Sequence, residues 1–274
     1  MKKFAAAISA IVLVANQGLA LAEDSKYPDW SGAWGRVGSG SFDGVTPTGP
    51  NEKAPLTPEY RARWLASLEK QKTTAASNNP VERCLPPGMP RSMIVLNPME
   101  IIITPKTTYM LLTYLMEVRR IYTDGRSFPE NVEPTFSGYS IGKWEDSEGK
   151  GKFDTLTVET RFLKGPRSYG PSGIPFHDDN KTVVKEKIYL DKAKPGTMVN
   201  EITVIDNALT HPWTIKRNYR HIKDHVFEEF ICVENNNWVM IGGQNYYLDA
   251  DGLLMPAVKS QPPPDLRHFE RLAK

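Results

Sequence analysis

Two cysteines, five histidines and almost no excess of charge are what this 274-residue chain offers to the commoner catalytic chemistries. No G-x-S-x-G occurs, so the nucleophile elbow of an α/β-hydrolase is missing. No G-x-G-x-x-G follows a strand-like run and there is no Walker loop, which leaves phosphate cradles unsupported. Gly35 to Gly40, GRVGSG, is too short and has no helical pattern behind it. His221 and His225 have H-x-x-x-H spacing, but no Glu follows the first, and the turn residues Lys223 and Asp224 separate them. A solvated hairpin end accounts for them better than a metal site does. Neither a metal nor a cofactor is expected.

Long apolar runs are also scarce. The first, in MKKFAAAISAIVLVANQGLALA, follows two lysines and ends in Ala20-Leu21-Ala22. That order of basic start, apolar middle and small-residue end is a secretory signal peptide over 1–22, with cleavage expected after Ala22. Its apolar part, Phe4 to Ala15, falls short of the ~20 residues a membrane span needs. Residues 23–274 are then expected as one periplasmic or secreted domain with no membrane span. Loss of Lys2 and Lys3 brings the 34 basic residues down to the number of acidic ones, 32. That balance gives no footing for nucleic acid or an anionic membrane, which select clustered basic charge. In an oxidising compartment Cys84 and Cys232 can pair, and the even count favours it; buried free thiols are the alternative.

The chain is rich in turn residues and in short β-type runs, with 22 prolines. Thr57-Pro58-Glu59 opens a helix, Thr57 as its N-cap and Pro58 in its first position, with Tyr60, Trp64, Leu65 and Leu68 on one face. The segment 83–91, RCLPPGMPR, is neither helix nor central strand, because three prolines fix φ and remove donors. It reads as a loop strapped across the fold by Cys84; a rigid lip over a pocket is the sharper alternative. Runs of Ile, Val, Thr, Tyr and Leu between turns predict strands near 93–97, 100–104, 107–122, 138–145, 153–162, 182–190, 198–206, 213–221 and 225–234. The long 107–122 run is either bent or two strands. No alternation of strands with long helical patterns occurs, so a parallel βαβ sheet is not expected. The fold class is mainly β: an antiparallel meander closing into a barrel, with one N-terminal helix.

Alternation of side chains sorts each strand into faces. In 109–122 the more apolar face holds Met110, Leu112, Tyr114, Met116 and Val118, and ends in Arg120 and Tyr122, which are therefore expected to point inward unless a bulge resets the register. Arg119 is expected outside. Leu156, Val158, Thr160 and Phe162 are expected inside from the 153–162 strand, then Val184, Glu186, Ile188 and Leu190 from 182–190, then Trp213, Ile215, Arg217 and Tyr219 from 213–221. A carboxylate on an apolar face needs a partner, and Arg120 or Arg217 could supply it to Glu186. Arg120 and Arg217 with Tyr114, Trp213 and Tyr219 form the expected ligand-binding set. Tyr122, Asp124, His177 and Glu186 are the candidates for moving a proton, His177 because it sits beside carboxylates on a long loop.

Two resemblances sharpen these expectations. Gly32-Ala33-Trp34 just after the leader resembles the G-x-W entry of calycin, or lipocalin-like, barrels. That likeness implies a Trp closing one end of the barrel against a basic residue from a late strand. The T-D-Y motif that lipocalins carry later is absent. Taken together, CLPPGMPR (84–91), RRIYTDGR (119–126), GYSIGKWE (138–145), DTLTVET (154–160), ALTHPWT (208–214) and FICVENN (230–236) resemble a largely uncharacterised family of secreted bacterial proteins. The chain departs from that pattern at Tyr139, where a His is expected, and at the insertion DSEGKGKF. The function these readings imply is binding of a partly apolar, anionic or phenolic small molecule in a mixed Arg-Tyr-Glu pocket. The alternative is a cofactor-independent lyase, isomerase or hydratase using the same pocket.

Overall fold

The computed structural model describes residues 26–38, 54–234 and 236–267. The expected signal peptide and His268 lie outside the described residues. Nine strands form a closed barrel in chain order: β1 Ala33–Val37, β2 Met99–Ile103, β3 Thr107–Leu112, β4 Glu117–Tyr122, β5 Tyr139–Glu145, β6 Thr155–Arg161, β7 Val183–Leu190, β8 Thr197–Ile205 and β9 Trp213–Ile222. A separate three-stranded sheet follows, of β10 Trp238–Ile241, β11 Gln244–Leu248 and β12 Leu254–Pro256. The one α-helix among the described residues, α1, runs Pro58–Thr74.

The expected barrel is present, but it is not a pure antiparallel meander. β4 and β5 pair in parallel through Ile121↔Ser140 and Tyr122↔Ile141. Parity requires this. Strands alternating in direction around a ring of nine would make β1 and β9 run the same way. They pair antiparallel over Ala33↔Ile222 to Val37↔Asn218, so one parallel seam must lie elsewhere. The chain after β4 therefore travels the length of the barrel, over 123–138, before re-entering as β5. Nine strands with one parallel seam also differ from the eight-stranded up-and-down plan of lipocalins.

Two predicted strands do not form. Residues 93–97 are the end of a 3-10 turn, Arg91–Met93, and a loop, and pairing begins at Met99. Residues 225–234 cannot join the sheet because β1 already occupies the free edge of β9; they end in a 3-10 turn at Cys232–Glu234. The run 107–122 is two strands. Leu115 and Met116 adopt left-handed φ of 56° and 52°, and the chain doubles back so that Met110 lies opposite Arg119.

Side chains at Met99, Ile101, Met110, Leu112, Ile121, Leu156, Val158, Val184, Ile188, Ile202, Val204 and Ile215 fill the barrel. On β3, β6, β7 and β9 the faces expected inside are inside, except at strand ends: Phe162 lies beyond β6 in a left-handed conformation and Leu190 ends β7 36% exposed; on β4 the faces are exchanged, Arg119 and Ile121 being buried and Val118 and Arg120 exposed. Trp34 packs edge-on against His221 of β9, with ring centroids 5.4 Å apart, and its Nε1 donates to Trp30 O (2.9 Å).

The strand directions send the connections Val37-to-Met99, 113–116, 162–182 and 206–212 to one end of the barrel. The N-cap of α1 is Thr57, whose hydroxyl accepts from Tyr60 N (3.4 Å). Tyr60 and Trp64 are its buried residues, Trp64 Nε1 donating to Ser172 O (2.8 Å) on the 162–182 connection; Leu65, expected on that face, is exposed. Gly88 fixes the proline-rich segment over this end. Its φ is +63°, and a Cβ there would stand 2.3 Å from Phe136 O, so only glycine permits the approach. Ser92 Oγ (2.7 Å) and Ser137 Oγ both donate to Glu117, joining the cap, the start of β4 and the crossing segment.

Candidate functional site

Inside the barrel, the hairpin geometry turns Arg119 inward and Arg120 outward, the reverse of the sequence expectation. Arg119 is 1% exposed. Its Nη1 donates to Glu186 Oε1 (3.1 Å) and its Nη2 to Glu186 Oε2 and to Thr160 Oγ1 (3.1 Å). Asn200 Nδ2 donates to the same carboxylate (2.8 Å), and the Ser140 and Thr160 hydroxyls lie 2.8 Å apart beside it. Glu186 thus faces inward as expected, with Arg119 rather than Arg120 or Arg217 as its ion-pair partner. The pair is sealed among core side chains, and its carboxylate is consumed by arginine and asparagine.

Arg217, Trp213 and Tyr219 are also buried, as expected. Tyr219 donates its hydroxyl to Met93 O, tying β9 to the cap. Burial, and secondarily the Glu186 charge, push the Tyr219 phenol well above its ordinary range; burial does the same at Tyr169. The sign follows. A phenol held neutral in the fold adds stability below the unfolded value near pH ~10 and loses it as pH rises beyond that. Titration at 295 nm should therefore leave two tyrosines unionised until the barrel opens, and the urea midpoint should fall above pH ~10. A Tyr219→Phe variant with the same alkaline limb would show that Tyr219 takes no part.

The proton-moving candidates are not brought together. Tyr122 lies on the outer face, its ring 4.9 Å from that of Tyr139 and with the Arg126 guanidinium 3.9 Å above it. Asp124 is held by that same Arg126 through Nε (2.8 Å) and Nη2 (2.6 Å), which draws its carboxyl down to about 2. Tyr122 and Arg120 line a shallow outer groove of about 270 Å³ along the parallel seam. His177 sits apart, on the 162–182 connection, its ring tilted against that of Tyr60 with centroids 5.1 Å apart. Its Nδ1 lies 3.1 Å from both the Asp179 N–H and the Asp179 carboxylate.

One cavity lies at the capped mouth. It holds about 400 Å³ and is mainly apolar, walled by Ile94, Val95, Leu96, Tyr114 and Pro171 with Arg36 and Arg91. Tyr114, expected as an aromatic wall, is there because the left-handed turn at Leu115 lifts it off the ladder; its ring stacks on Phe230 at 5.5 Å. Arg91 was not singled out from the sequence, yet it is the polar residue on which the cavity turns. It is 4% exposed; its Nη1 donates to Asn79 Oδ1 (2.6 Å) and Ser168 Oγ (3.1 Å), and its guanidinium also interacts with the Tyr114 hydroxyl. No carboxylate among the described residues lies within ion-pair distance. Burial lowers the proton affinity of Arg91, with the neighbouring Tyr114 and Glu82 opposing; burial likewise raises the Tyr114 phenol, against the pull of Arg91.

No protein-family model matches the chain, and no curated protein matches it. The secreted-family and calycin likenesses therefore rest on the residues quoted for them. Among the described residues no helix is long and apolar enough to cross a membrane, and no cluster of three His, Cys, Asp or Glu side chains is arranged to hold a metal ion. Cys84 and Cys232 stand as a disulfide pair with Cα atoms 5.5 Å apart.

The signal for Arg91 in the sequence was the rigid segment that ends on it. A side chain that follows three prolines and a glycine is carried on backbone with few alternatives. The strap and the lip are the same piece: Cys84 anchors it and Arg91 lines the cavity beneath it.

Proposed function

We propose that this is an exported, calycin-like small-molecule-binding barrel that takes a partly apolar, anionic or phenolic ligand at its mouth. The buried Arg91 guanidinium carries the reading. A guanidinium out of water with no carboxylate beside it costs several kcal/mol, and a carboxylate or phenolate entering the cavity supplies the missing charge. Arg91 is oriented by Asn79 and Ser168 through Nη1 and by Tyr114, which supports a guanidinium preorganised for an oxyanion entering beside the Tyr114 ring. Tyr114 and the 94–96 side chains offer the apolar walls, and about 400 Å³ lies within the range of small-molecule sites. Exported proteins meet such ligands outside the cytoplasm, which agrees with the leader and the paired cysteines.

The test uses 4-hydroxybenzoate as the anionic probe and benzyl alcohol as its neutral counterpart, with titration calorimetry on the chain lacking residues 1–22. Binding of the acid should be weakened roughly 10- to 100-fold in Arg91→Met, the value of a hydrogen bond to a charged group. The thermal midpoint should stay close to wild type, since a buried unpaired charge is being removed. Equal binding of the acid by wild type and Arg91→Met would remove Arg91 from the site. Equal binding of acid and alcohol would remove the anionic character of the ligand.

A further inference from the structure

We infer that the barrel carries a second, separate site: a cleft beneath α1 that binds a small polar oxyanion bearing at least two negative charges. This cleft holds about 590 Å³ and is lined by Lys70 of α1, Arg83, Arg167, His177, Asn78 and Asn180, among others. Four stretches of chain meet there: α1, the 3-10 turn Pro80–Arg83, the 165–180 connection and the β10–β11 turn at Gly243.

Arg167 is the anchor. It is 6% exposed, and its guanidinium lies 4.3 Å above the Phe176 ring. Nη2 donates to Thr182 Oγ1 (3.0 Å), while Nε and Nη1 are buried with no hydrogen-bond partner. Burial lowers its proton affinity to about 10, with the nearby Asp206 opposing. Asp206 makes no ion-pair contact with it among the described residues: its oxygens accept from the backbone N–H groups of His177 (3.0 Å) and Ala208 (2.8 Å) and from the Thr182 hydroxyl (2.5 Å) that Arg167 itself reaches. Lys70 and Arg83 make no ion pair among the described residues. The one carboxylate lining the cleft, Asp178, is held by Arg63 at 2.9 Å.

Three cations thus face one space in which the single carboxylate is already paired. The lining is more polar than that of the mouth, so the two cavities select different chemistry. Guanidinium and ammonium groups placed around a partly enclosed space are the usual means of holding phosphate or clustered carboxylates. His177 lines the same space, its Nδ1 held 3.1 Å from both the Asp179 N–H and the Asp179 carboxylate. The fit is to a molecule of sugar-phosphate or tricarboxylate size rather than to a polymer, since the volume is that of a small-molecule site.

Calorimetric titration with pyrophosphate, citrate and glycerol at low ionic strength tests this, where screening of exposed cations is weak. Saturable binding of pyrophosphate or citrate is expected, and none of glycerol; the preferred anion tells phosphoryl from carboxylate recognition. Lys70→Ala/Arg83→Ala should weaken that binding about tenfold or more with an unchanged thermal midpoint. Arg167→Met should abolish it. The His177 Cε1–H resonance should move on anion addition in wild type. Arg91→Met should bind these anions as wild type does, which separates this site from the mouth. Absence of saturable binding by either anion overturns the inference, as does wild-type affinity in the Lys70/Arg83 double variant or loss of affinity in Arg91→Met. Should Arg167→Met fail to fold, the double variant and the His177 resonance still decide.

Discussion

Replacing Arg119 with methionine should cost the barrel about 3–5 kcal/mol of unfolding free energy, the penalty for stranding a buried charge. The residue is 1% exposed and serves Glu186 and Thr160 at once, so its removal leaves a carboxylate inside the barrel with Asn200 as its remaining donor. Glu186→Leu should be destabilising for the mirror-image reason, stranding the guanidinium. The double variant Arg119→Met/Glu186→Leu should recover most of the loss and could equal wild type, because well-packed apolar groups often replace a buried pair without cost. Urea denaturation of the four proteins gives the coupling energy directly. A cost below ~1 kcal/mol for Arg119→Met would mean that the pair is solvated and the hairpin register is not the one described. If the double variant is as weak as the singles, the network is needed for the barrel to close rather than being a tolerated polar inclusion.

Arg119 also shows where the sequence could be read and where it could not. Alternation placed Glu186, Arg217 and Tyr219 inside correctly, because β7 and β9 are regular for eight and ten residues. It failed between Met110 and Arg119, because two left-handed residues, neither of them glycine, reverse the chain inside an unbroken apolar run. Nothing in Tyr114-Leu115-Met116 resembles a turn signal, since turns are marked by Gly, Asn, Asp and Pro. The same turn places Tyr114 at the mouth and leaves Arg120 and Tyr122 on the outer wall.

The other mismatches have a common cause in closure. Residues 225–234 have strand composition, yet β1 pairs with β9 and leaves them no edge. The parallel seam is invisible locally, because it follows from the number of strands rather than from any residue near Tyr122 or Ser140. The helix cap was legible because Thr57 and Pro58 act through their own backbone. The mouth is half legible: Tyr114 reads as an aromatic wall and the proline segment as a strap with a lip as its alternative, but which arginine meets the cavity depends on a glycine packed on Phe136 O.

That cap is where the second large effect is expected. Reducing the Cys84–Cys232 pair should cost roughly 4–5 kcal/mol, because the link closes a very long loop of the unfolded chain and the entropy removed grows with loop length. The separation is 148 residues, and all eight strands from β2 to β9 lie within it, so the constraint acts on the denatured ensemble of nearly the whole barrel. In the folded state, residues 223–231 contribute no strand, and the chain there meets the cap chiefly through Cys232 and through Asn236 Nδ2, which donates to Glu82 O (3.1 Å). Cys84→Ser/Cys232→Ser and wild type in reductant should therefore unfold at the same lowered urea concentration. Intact mass should differ by two hydrogens between oxidised and reduced protein, and identical masses would remove the bond. A stability loss under ~1 kcal/mol would place the constraint in a denatured state that is already compact. The loss should not be uniform in its consequences. Arg91 follows Cys84 by seven residues on the same rigid segment, whereas Arg119 and Glu186 are held by the barrel ladder. At temperatures where the reduced protein is still folded, affinity for 4-hydroxybenzoate should fall while the tyrosine fluorescence of the buried core stays as in the oxidised form. Equal affinity before and after reduction would mean that Gly88 and the serine contacts to Glu117 hold the lip without the disulfide.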